Sequence, residues 1–526
     1  MRWDLPYPSQ RYPVMADAAV ATSQPLAVQA GIGALHDGGN AVDAALAAAV
    51  ALTVIEPTSN GIGGDLFALV WDGTEVHALN ASGRSPAAID AERLIAAGHI
   101  PLRGWDAVTV PGAVSGWVAL HQRFGRLDMQ RLVAPAVRYA REGFRVGPVT
   151  AAAWSRAAEV FASSADFAPF LPGGRAPDPG SRFAFPDQAR TLEAIAATDG
   201  AAFYTGALAE KIAAHAAAGG APLSTDDLAA HSADWVQALA LDFAGSVVYE
   251  LPPNGQGIAA LAALGILAHT DIAALDPDGA DAIHLQAEAM KLSLSDAQAH
   301  VADPAAMTID PRELLDDDYL AAQADRIDFG RAATPPAGEP LQRGGTVYLC
   351  TADADGMMVS LIQSNFHGFG SGLVVPDTGI SLQNRGVGFS TRPGHPNVVA
   401  PRKRPFHTII PAMAMTAQGD PLMTFGVMGG HMQPQGHVQM MLRTQLWEQN
   451  PQAALDAPRW RFESGTQLAL EAAVPEAVRA NLAQRGHTLL HDTSMGGFGG
   501  GQIIARHGDG WLAASDPRKE GHAAGF

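Results

Sequence analysis

Residues 343–365 read RGGTVYLCTADADGMMVSLIQSN. Two glycines lead into a threonine, apolar residues then run to Ala352, a turn signal stands at Asp355-Gly356, and a second apolar run covers 357–363. Glycine supplies the positive φ that tight hairpin turns require, so the stretch predicts a β-hairpin whose first strand opens on Thr346. Gly344 and Gly345 put almost no steric limit on the backbone, a geometry in which the Thr346 hydroxyl can attack its own preceding carbonyl. A cut there leaves Thr346 with an α-amine of ordinary pKa about 7.7–8.0, able to serve as general base for the hydroxyl of the same residue. Gly-Gly-Thr before a strand is equally an ordinary turn, so the reading has to be carried by residues elsewhere.

Hairpins of the same kind recur at 66–70 with 75–79 around Asp72-Gly73, at 408–415 with 422–427 around Gln418-Gly419, and at 502–505 with 511–514 around Asp509-Gly510. Four hairpins predict about eight strands. Apolar residues at helical spacing mark helices over 115–123, 129–142, 283–302, 436–448 and 476–485. The alanine-rich stretch 44–55 reads as a buried helix, capped by Asn40 with Asp43 three residues on and Pro57 beyond its end, and it falls short of the about 20 residues that cross a bilayer. Hairpin-built sheets with separate helices predict a layered α+β fold. Two Pro/Gly-rich regions read as loose, 171–188 and 334–340, the second an exposed tether close to Thr346.

The 526 residues, 47% hydrophobic and 17% charged, describe a globular chain with room for one large core or several domains. Lys and Arg number 34 against 53 Asp and Glu, and the net charge of −19 is dispersed, which excludes nucleic acid as a partner. Cys350 is the single cysteine, so no internal disulfide is expected, and Met1 to Pro6 carry no basic-then-apolar signal; a cytoplasmic location is the expectation. Cys350 itself, inside a strand, reads as an inert thiol. The 18 histidines include no His-Glu-x-x-His and no His-x-His, and His431 and His437 merely flank a Pro-Gln-Gly turn, so neither metal nor cofactor is expected. The glycine runs 368–372 and 496–501 lack the spacing and acidic follow-up of a dinucleotide site.

Two further segments support the chemistry at Thr346. Ser364 and Asn365 follow the second strand of its hairpin, where they can face it across the ladder and position its hydroxyl and amine. Gly429-Gly430 ends another strand, and consecutive glycine N–H groups can bind the oxyanion of a tetrahedral intermediate. Each segment also has a plainer reading, as a turn former or as close packing.

Taken together, the chain resembles the γ-glutamyltransferase (glutathione hydrolase) family of N-terminal-nucleophile hydrolases. The segments that carry the resemblance are Gly38-Gly39-Asn40-Ala41-Val42-Asp43-Ala44-Ala45, Gly61-Ile62-Gly63-Gly64-Asp65, Val110-Pro111-Gly112-Ala113-Val114, Pro252-Pro253-Asn254-Gly255-Gln256-Gly257, Ala287-Glu288-Ala289-Met290-Lys291 and Ala514-Ser515-Asp516-Pro517-Arg518. The resemblance implies a four-layer αββα sandwich made as a proenzyme and cut between Gly345 and Thr346. A large subunit, 1–345, and a small one, 346–526, would then form one folded unit, with a dimer of such heterodimers as a further option. It implies Thr346 as nucleophile, Ser364 as the second hydroxyl, and Gly429 and Gly430 as the oxyanion hole.

Other positions depart from the family pattern. Where γ-glutamyl-specific members carry an Asp for the substrate ammonium, this chain reads Leu382-Gln383-Asn384-Arg385-Gly386. A pair of serines is replaced by His407-Thr408, and the arginine for the α-carboxylate is displaced, Ser82 standing in its place with Arg84 two residues before Pro86. A guanidinium in place of a carboxylate favours a carboxylate or carbonyl on the substrate. The pattern resembles a divergent branch that includes glutathione hydrolase-like proteins, oxamate amidohydrolase and cephalosporin-acylase-like proteins. The expected substrate is a small amide bearing a carboxylate, with Arg84, Asn365, Arg385, His407 and Thr408 as candidate contacts. Arg385 is expected to serve substrate alone and to leave self-cleavage untouched. The rival from another class is a binding subunit that has lost activity.

Overall fold

The computed structural model describes residues 10–334, 341, 344–491 and 497–526. Fourteen of its strands build two sheets, and in chain order they are β1 (Val14–Ala16), β2 (Ala19–Thr22), β3 (Asp65–Trp71), β4 (Val76–Ala81), β5 (Asp234–Val236), β6 (Leu239–Phe243), β7 (Ser246–Glu250), β8 (Gly345–Ala352), β9 (Met358–Phe366), β10 (Ala412–Thr416), β11 (Pro421–Met428), β12 (Gly500–His507), β13 (Gly510–Ser515) and β14 (His522–Gly525). One seven-stranded sheet runs β14-β2-β8-β9-β3-β4-β5, the other β1-β13-β12-β11-β10-β7-β6. Both sheets thus combine strands from before and after residue 345.

Alternation along each strand sends successive side chains to opposite faces, and that separates three apolar layers. On β8, Tyr348, Cys350 and Ala352 face inward to meet Met413, Met428, Ile504 and Trp511 of the second sheet. Val347 and Leu349 face outward, against the helices Pro25–His36, Ala41–Ile55, Ala113–Phe124 and Met129–Glu142. The outer face of the second sheet is covered by Gly257–Ala268, Ala280–His300 and Met432–Met441. Helix, sheet, sheet, helix is the four-layer sandwich that was expected. Cys350 lies fully buried between the sheets, where burial pushes its thiol well up.

All four hairpins form. The helix Ala41–Ile55 starts in a capping box, with Asn40 Oδ1 accepting from the Asp43 N–H at 3.0 Å and Asp43 Oδ2 accepting from the Asn40 N–H at 2.9 Å. The strand expected from residue 408 begins only at Ala412. Pro411 lacks an N–H, and the N–H groups of Ile409 and Ile410 are taken by the His407 Nδ1 and Gln433 Oε1 side-chain atoms. The helix expected over 436–448 starts earlier, at Met432, and closes in a π turn at Leu442–Leu446. The loose region 171–188 contains short turns and the strand Arg182–Phe183 before a helix sets in at Pro186. Of the tether at 334–340, residues 335–340 lie outside the described residues, as do Arg343 and Gly496.

Candidate active site

Thr346 sits at an irregularity in the β8–β9 ladder. Gly345 pairs with Phe366 and Val347 with Gln363, so a single residue of β8 faces two of β9, Ser364 and Asn365. The bulge turns both hydroxyls toward one another: Thr346 Oγ1 and Ser364 Oγ are 3.1 Å apart and buried. Ser364 also donates to the Gly345 carbonyl oxygen at 2.7 Å. Its oxygen accepts from the Phe366 N–H at 2.7 Å and from Arg385 Nη2 at 3.3 Å. Two N–H donors occupy its lone pairs, and one proton remains to give. Gly345 O receives that proton, with Thr346 Oγ1 as the competing acceptor.

The glycines before Thr346 are held by contact. A Cβ on Gly345 would meet Thr58 O at 3.1 Å and Ser59 Cα at 3.3 Å, and one on Gly344 would meet Phe366 O at 2.9 Å and Gly430 Cα at 3.4 Å. The Gly345–Thr346 peptide therefore lies between the 58–59 turn and the Gly429-Gly430 turn. Gly429 and Gly430 adopt φ of +128° and +66° at the end of β11, and among the described residues neither N–H meets a backbone carbonyl. Gln256 Nε2 ties this turn down, donating to Gly430 O at 3.0 Å and to Thr408 O at 2.6 Å. In the sequence Gln256 stands within Pro252-Pro253-Asn254-Gly255-Gln256-Gly257 with no chemical role of its own to announce. An amide flanked by glycines at a helix start was the only signal it offered.

Beyond Ser364 lies a buried polar cluster. Ser364 pairs directly with Asp65 across the β9–β3 ladder. Asp65 Oδ1 accepts from the Gly83 N–H at 3.2 Å, the Gly112 N–H at 3.1 Å and Gln383 Nε2 at 3.1 Å. Its Oδ2 lies 3.0 Å from His407 Nε2. His407 Nδ1 accepts from the Ile409 N–H, so Nε2 carries the proton and donates to Asp65. Burial drives His407 well below its ordinary value, so this contact is a hydrogen bond from a neutral imidazole, not an ion pair. Burial raises the Asp65 carboxyl to about 7, with the Arg385 guanidinium as the main opposing influence. Arg385 is fully buried; it donates to Thr408 Oγ1 at 2.8 Å and stacks on the Phe366 ring at 4.3 Å. Burial lowers it to about 9 while Asp65 pulls the other way, and it keeps its charge at neutral pH.

Thr346, Ser364, Arg385, Thr408 and His407 are thus brought together. Arg385 has a double engagement, bonding both Thr408 and Ser364, and the second bond joins it to the groups around the Gly345–Thr346 peptide. Asn365 donates to Ser381 Oγ at 3.0 Å, and its Oδ1 is without a partner among the described residues. Arg84 does not join the cluster: its Nη1 pairs with Asp303 at 2.7 Å and bonds Arg402 O, with its side chain 43% exposed. Asp65 was missed as a site residue because an acid closing a glycine-rich loop has no distinctive spacing. A cavity of about 70 Å³ adjoins the cluster, walled by Phe366, Val387, Phe389, Phe406, Thr408 and His431, and none of its lining residues is acidic.

One group elsewhere has the makings of a metal site. The ligand atoms of His284, Glu288 and His487 converge within 4.8 Å. Lys291 Nζ, however, stands 2.6 Å from Glu288 Oε1 and 2.9 Å from Ala333 O, so an ammonium already fills the cation's part.

The γ-glutamyltranspeptidase family model matches residues 27–526. The chain belongs to that family. It is 39% identical over 518 residues to the oxamate amidohydrolase proenzyme of Klebsiella pneumoniae, covering 95% of this chain and 97% of that one. With a glutathione hydrolase-like proenzyme of Bacillus subtilis it shares 37% over 517 residues, again 95% and 97% of the two chains. The crystal structure of a cephalosporin acylase from Bacillus halodurans superposes with a TM-score of 0.96 at 44% identity, covering 100% of this chain and 99% of that one. As a member of the γ-glutamyltranspeptidase family, the protein is a hydrolase acting on amide bonds. Among the described residues no helix is long and apolar enough to cross a membrane.

Proposed function

We propose that the chain cuts itself between Gly345 and Thr346, and that the freed Thr346 then hydrolyses a small carboxylate-bearing amide through an acyl-enzyme. The observation that carries the reading is the Ser364 hydroxyl, 2.7 Å from Gly345 O and 3.1 Å from Thr346 Oγ1. In the precursor, Thr346 Oγ1 attacks the Gly345 carbonyl carbon. The C–N bond breaks as the C–O bond forms, and water then hydrolyses the resulting ester, leaving a Gly345 carboxylate and a free Thr346 amine. Donation from Ser364 to the carbonyl oxygen stabilises the charge that develops on it, which is what such a donor contributes most.

In turnover the amine takes the hydroxyl proton, Oγ1 attacks the substrate amide carbon, and the Gly429 and Gly430 N–H groups receive the oxyanion. The amine product leaves with a proton, and water releases the acyl group as an acid. A carboxylate on the substrate suits Arg385: its Nε–H is buried and without a partner among the described residues, and a guanidinium matches a carboxylate in charge and geometry. Asp65, the acid of this cluster, is already engaged by four donors. A γ-glutamyl substrate, whose ammonium needs an acid, is therefore disfavoured against amides such as oxamate or a glutaryl amide. With one buried cysteine, the chain suits a reducing compartment, and the cytoplasm is proposed.

Intact-mass measurement of the purified protein tests the cut: two fragments meeting at Thr346 are expected, and one uncut chain for Thr346→Ala. A wild type that stays whole overturns the reading. Product release from oxamate, a glutaryl amide, glutathione and a γ-glutamyl anilide tests the substrate, and strong turnover of the last two would overturn the reading that a substrate ammonium is disfavoured.

A further inference from the structure

Arg385 reaches Ser364 from the start of a short turn, Arg385–Gly388, and a long flexible side chain gives up substantial rotamer freedom to sit in one pose. The Asn384 side chain anchors the turn, accepting from the His367 N–H at 3.1 Å and donating to Leu102 O at 2.8 Å. Two further attachments, one on either side of Arg385, add to the constraint. Gln383, two residues before Arg385, is tied by its Nε2 to Asp65 Oδ1 at 3.1 Å. His407, the neighbour of the Thr408 that accepts from Arg385, is tied by its Nε2 to Asp65 Oδ2 at 3.0 Å. One carboxylate thus grips both stretches of backbone that aim the guanidinium, and in register it is the direct cross-strand partner of Ser364.

We propose that Asp65 is a positioning residue: by fastening Gln383 and His407 and by supplying the opposing charge, it holds Arg385 on the Ser364 oxygen and so keeps that hydroxyl aimed at the Gly345 carbonyl. With Arg385 Nη2 and the Phe366 N–H on its two lone pairs, the one Ser364 proton is directed at Gly345 O. Without Arg385 in place one of those two constraints is lost, and the hydroxyl is free to rotate away from the carbonyl. The geometry makes Asp65 a contributor to both self-cleavage and turnover, acting through two intermediates and never touching the reacting atoms. The proposal rests on Thr346 as nucleophile.

Electrostatics agree with the geometry. Asp65 is faced by Arg385 and Arg404, by the neutral His407, and by Tyr204, whose phenol burial pushes up. The plainer alternative is a buried hub that merely ties loops together through the Gly83 and Gly112 N–H groups. An asparagine would still accept those two bonds, which lets experiment separate the roles.

The test is a double-mutant cycle on the full-length chain, read by the rate of the 345/346 cut in intact-mass time courses and by steady-state hydrolysis of whichever amide the wild type turns over. Asp65→Asn is expected to slow the cut by about tenfold or more and to lower kcat/KM by a similar factor; in an Arg385→Met background the same change is expected to cost less than about threefold in both, the mark of residues acting as a unit. Equal losses in both backgrounds would show that Asp65 does not act through Arg385 and would overturn the proposal. Should Asp65→Asn fail to fold, His407→Phe removes the Oδ2 bond while leaving both glycine N–H contacts, and is read in the same cycle by the same criterion. A wild type that never cuts would instead overturn the Thr346 assignment, so the two failures are distinguishable.

Discussion

The Ser364 hydroxyl oxygen stands 2.7 Å from the Gly345 carbonyl oxygen, and it is the same atom that faces the Thr346 hydroxyl at 3.1 Å. One side chain therefore touches both the proposed electrophile and the proposed nucleophile of the cut. Ser364→Ala removes the donor while leaving the apolar packing of β9 intact. Self-cleavage should slow by about a hundredfold, the usual cost of losing one oxyanion donor. Time-resolved intact mass checks this, and cleavage at the wild-type rate would show that the bond is incidental.

Gln256 holds the Gly429-Gly430 turn to Thr408. Gln256→Leu keeps the volume but removes the side-chain donor to Thr408 O, at a cost of about 1–3 kcal/mol, and leaves Gly430 O with only the Gln433 N–H. The variant should lose thermal stability, and its kcat should fall more than its KM rises, because the turn presents N–H groups to the transition state. An unchanged kcat in a destabilised protein would separate the turn from catalysis.

The acid side of the pH profile should carry two protons. Asp65 is raised to about 7 by burial, and the Thr346 amine has an ordinary value of about 7.7–8.0. As pH falls, the amine is protonated and stops accepting the hydroxyl proton, and the Asp65 carboxyl is neutralised and stops opposing Arg385. Both changes lower activity, so log kcat/KM should fall with a slope above one over about one pH unit near and below 7, and with a slope of about one throughout in Asp65→Asn. A wild-type slope of one would assign the limb to the amine alone.

Lys291 and Glu288 are 1% and 3% exposed and 2.6 Å apart, and together they clamp the Ala333 peptide. Lys291→Met leaves the Glu288 carboxylate buried without its cation, a loss of about 3–5 kcal/mol. Denaturant unfolding measures this, and combining it with Glu288→Gln should recover most of the stability. Equal destabilisation in single and double variants would show that the loss does not come from the uncompensated Glu288 carboxylate.

The four hairpins and the capped helix at Ala41–Ile55 were legible because their signals are local: a glycine at each turn, a period of two on either side, and a capping residue. The edge strands were not. Val14–Ala16 pairs with residues 511–513, and Ala19–Thr22 lies against Leu349–Ala352 on one side and His522–Gly525 on the other, pairings across hundreds of residues with no turn to announce them. The helix Gly257–Ala268 was missed because it is buried all round and shows no polar face to set its period.

The site divides in the same way. Sequence alone determined the hairpin that opens on Thr346, the two glycines before it and the glycine pair at 429–430, since these depend on backbone freedom and neighbouring residues. Which side chains gather around Thr346 was decided only by tertiary structure. Asp65, Gln256, Arg385 and His407 come from four separate segments, and sheet register and helix packing bring them to one place. Arg84 lies only nineteen residues from Asp65 in the chain, yet it is drawn off to Asp303. A charged side chain goes to whichever partner the fold brings within reach, and chain separation says nothing about that distance.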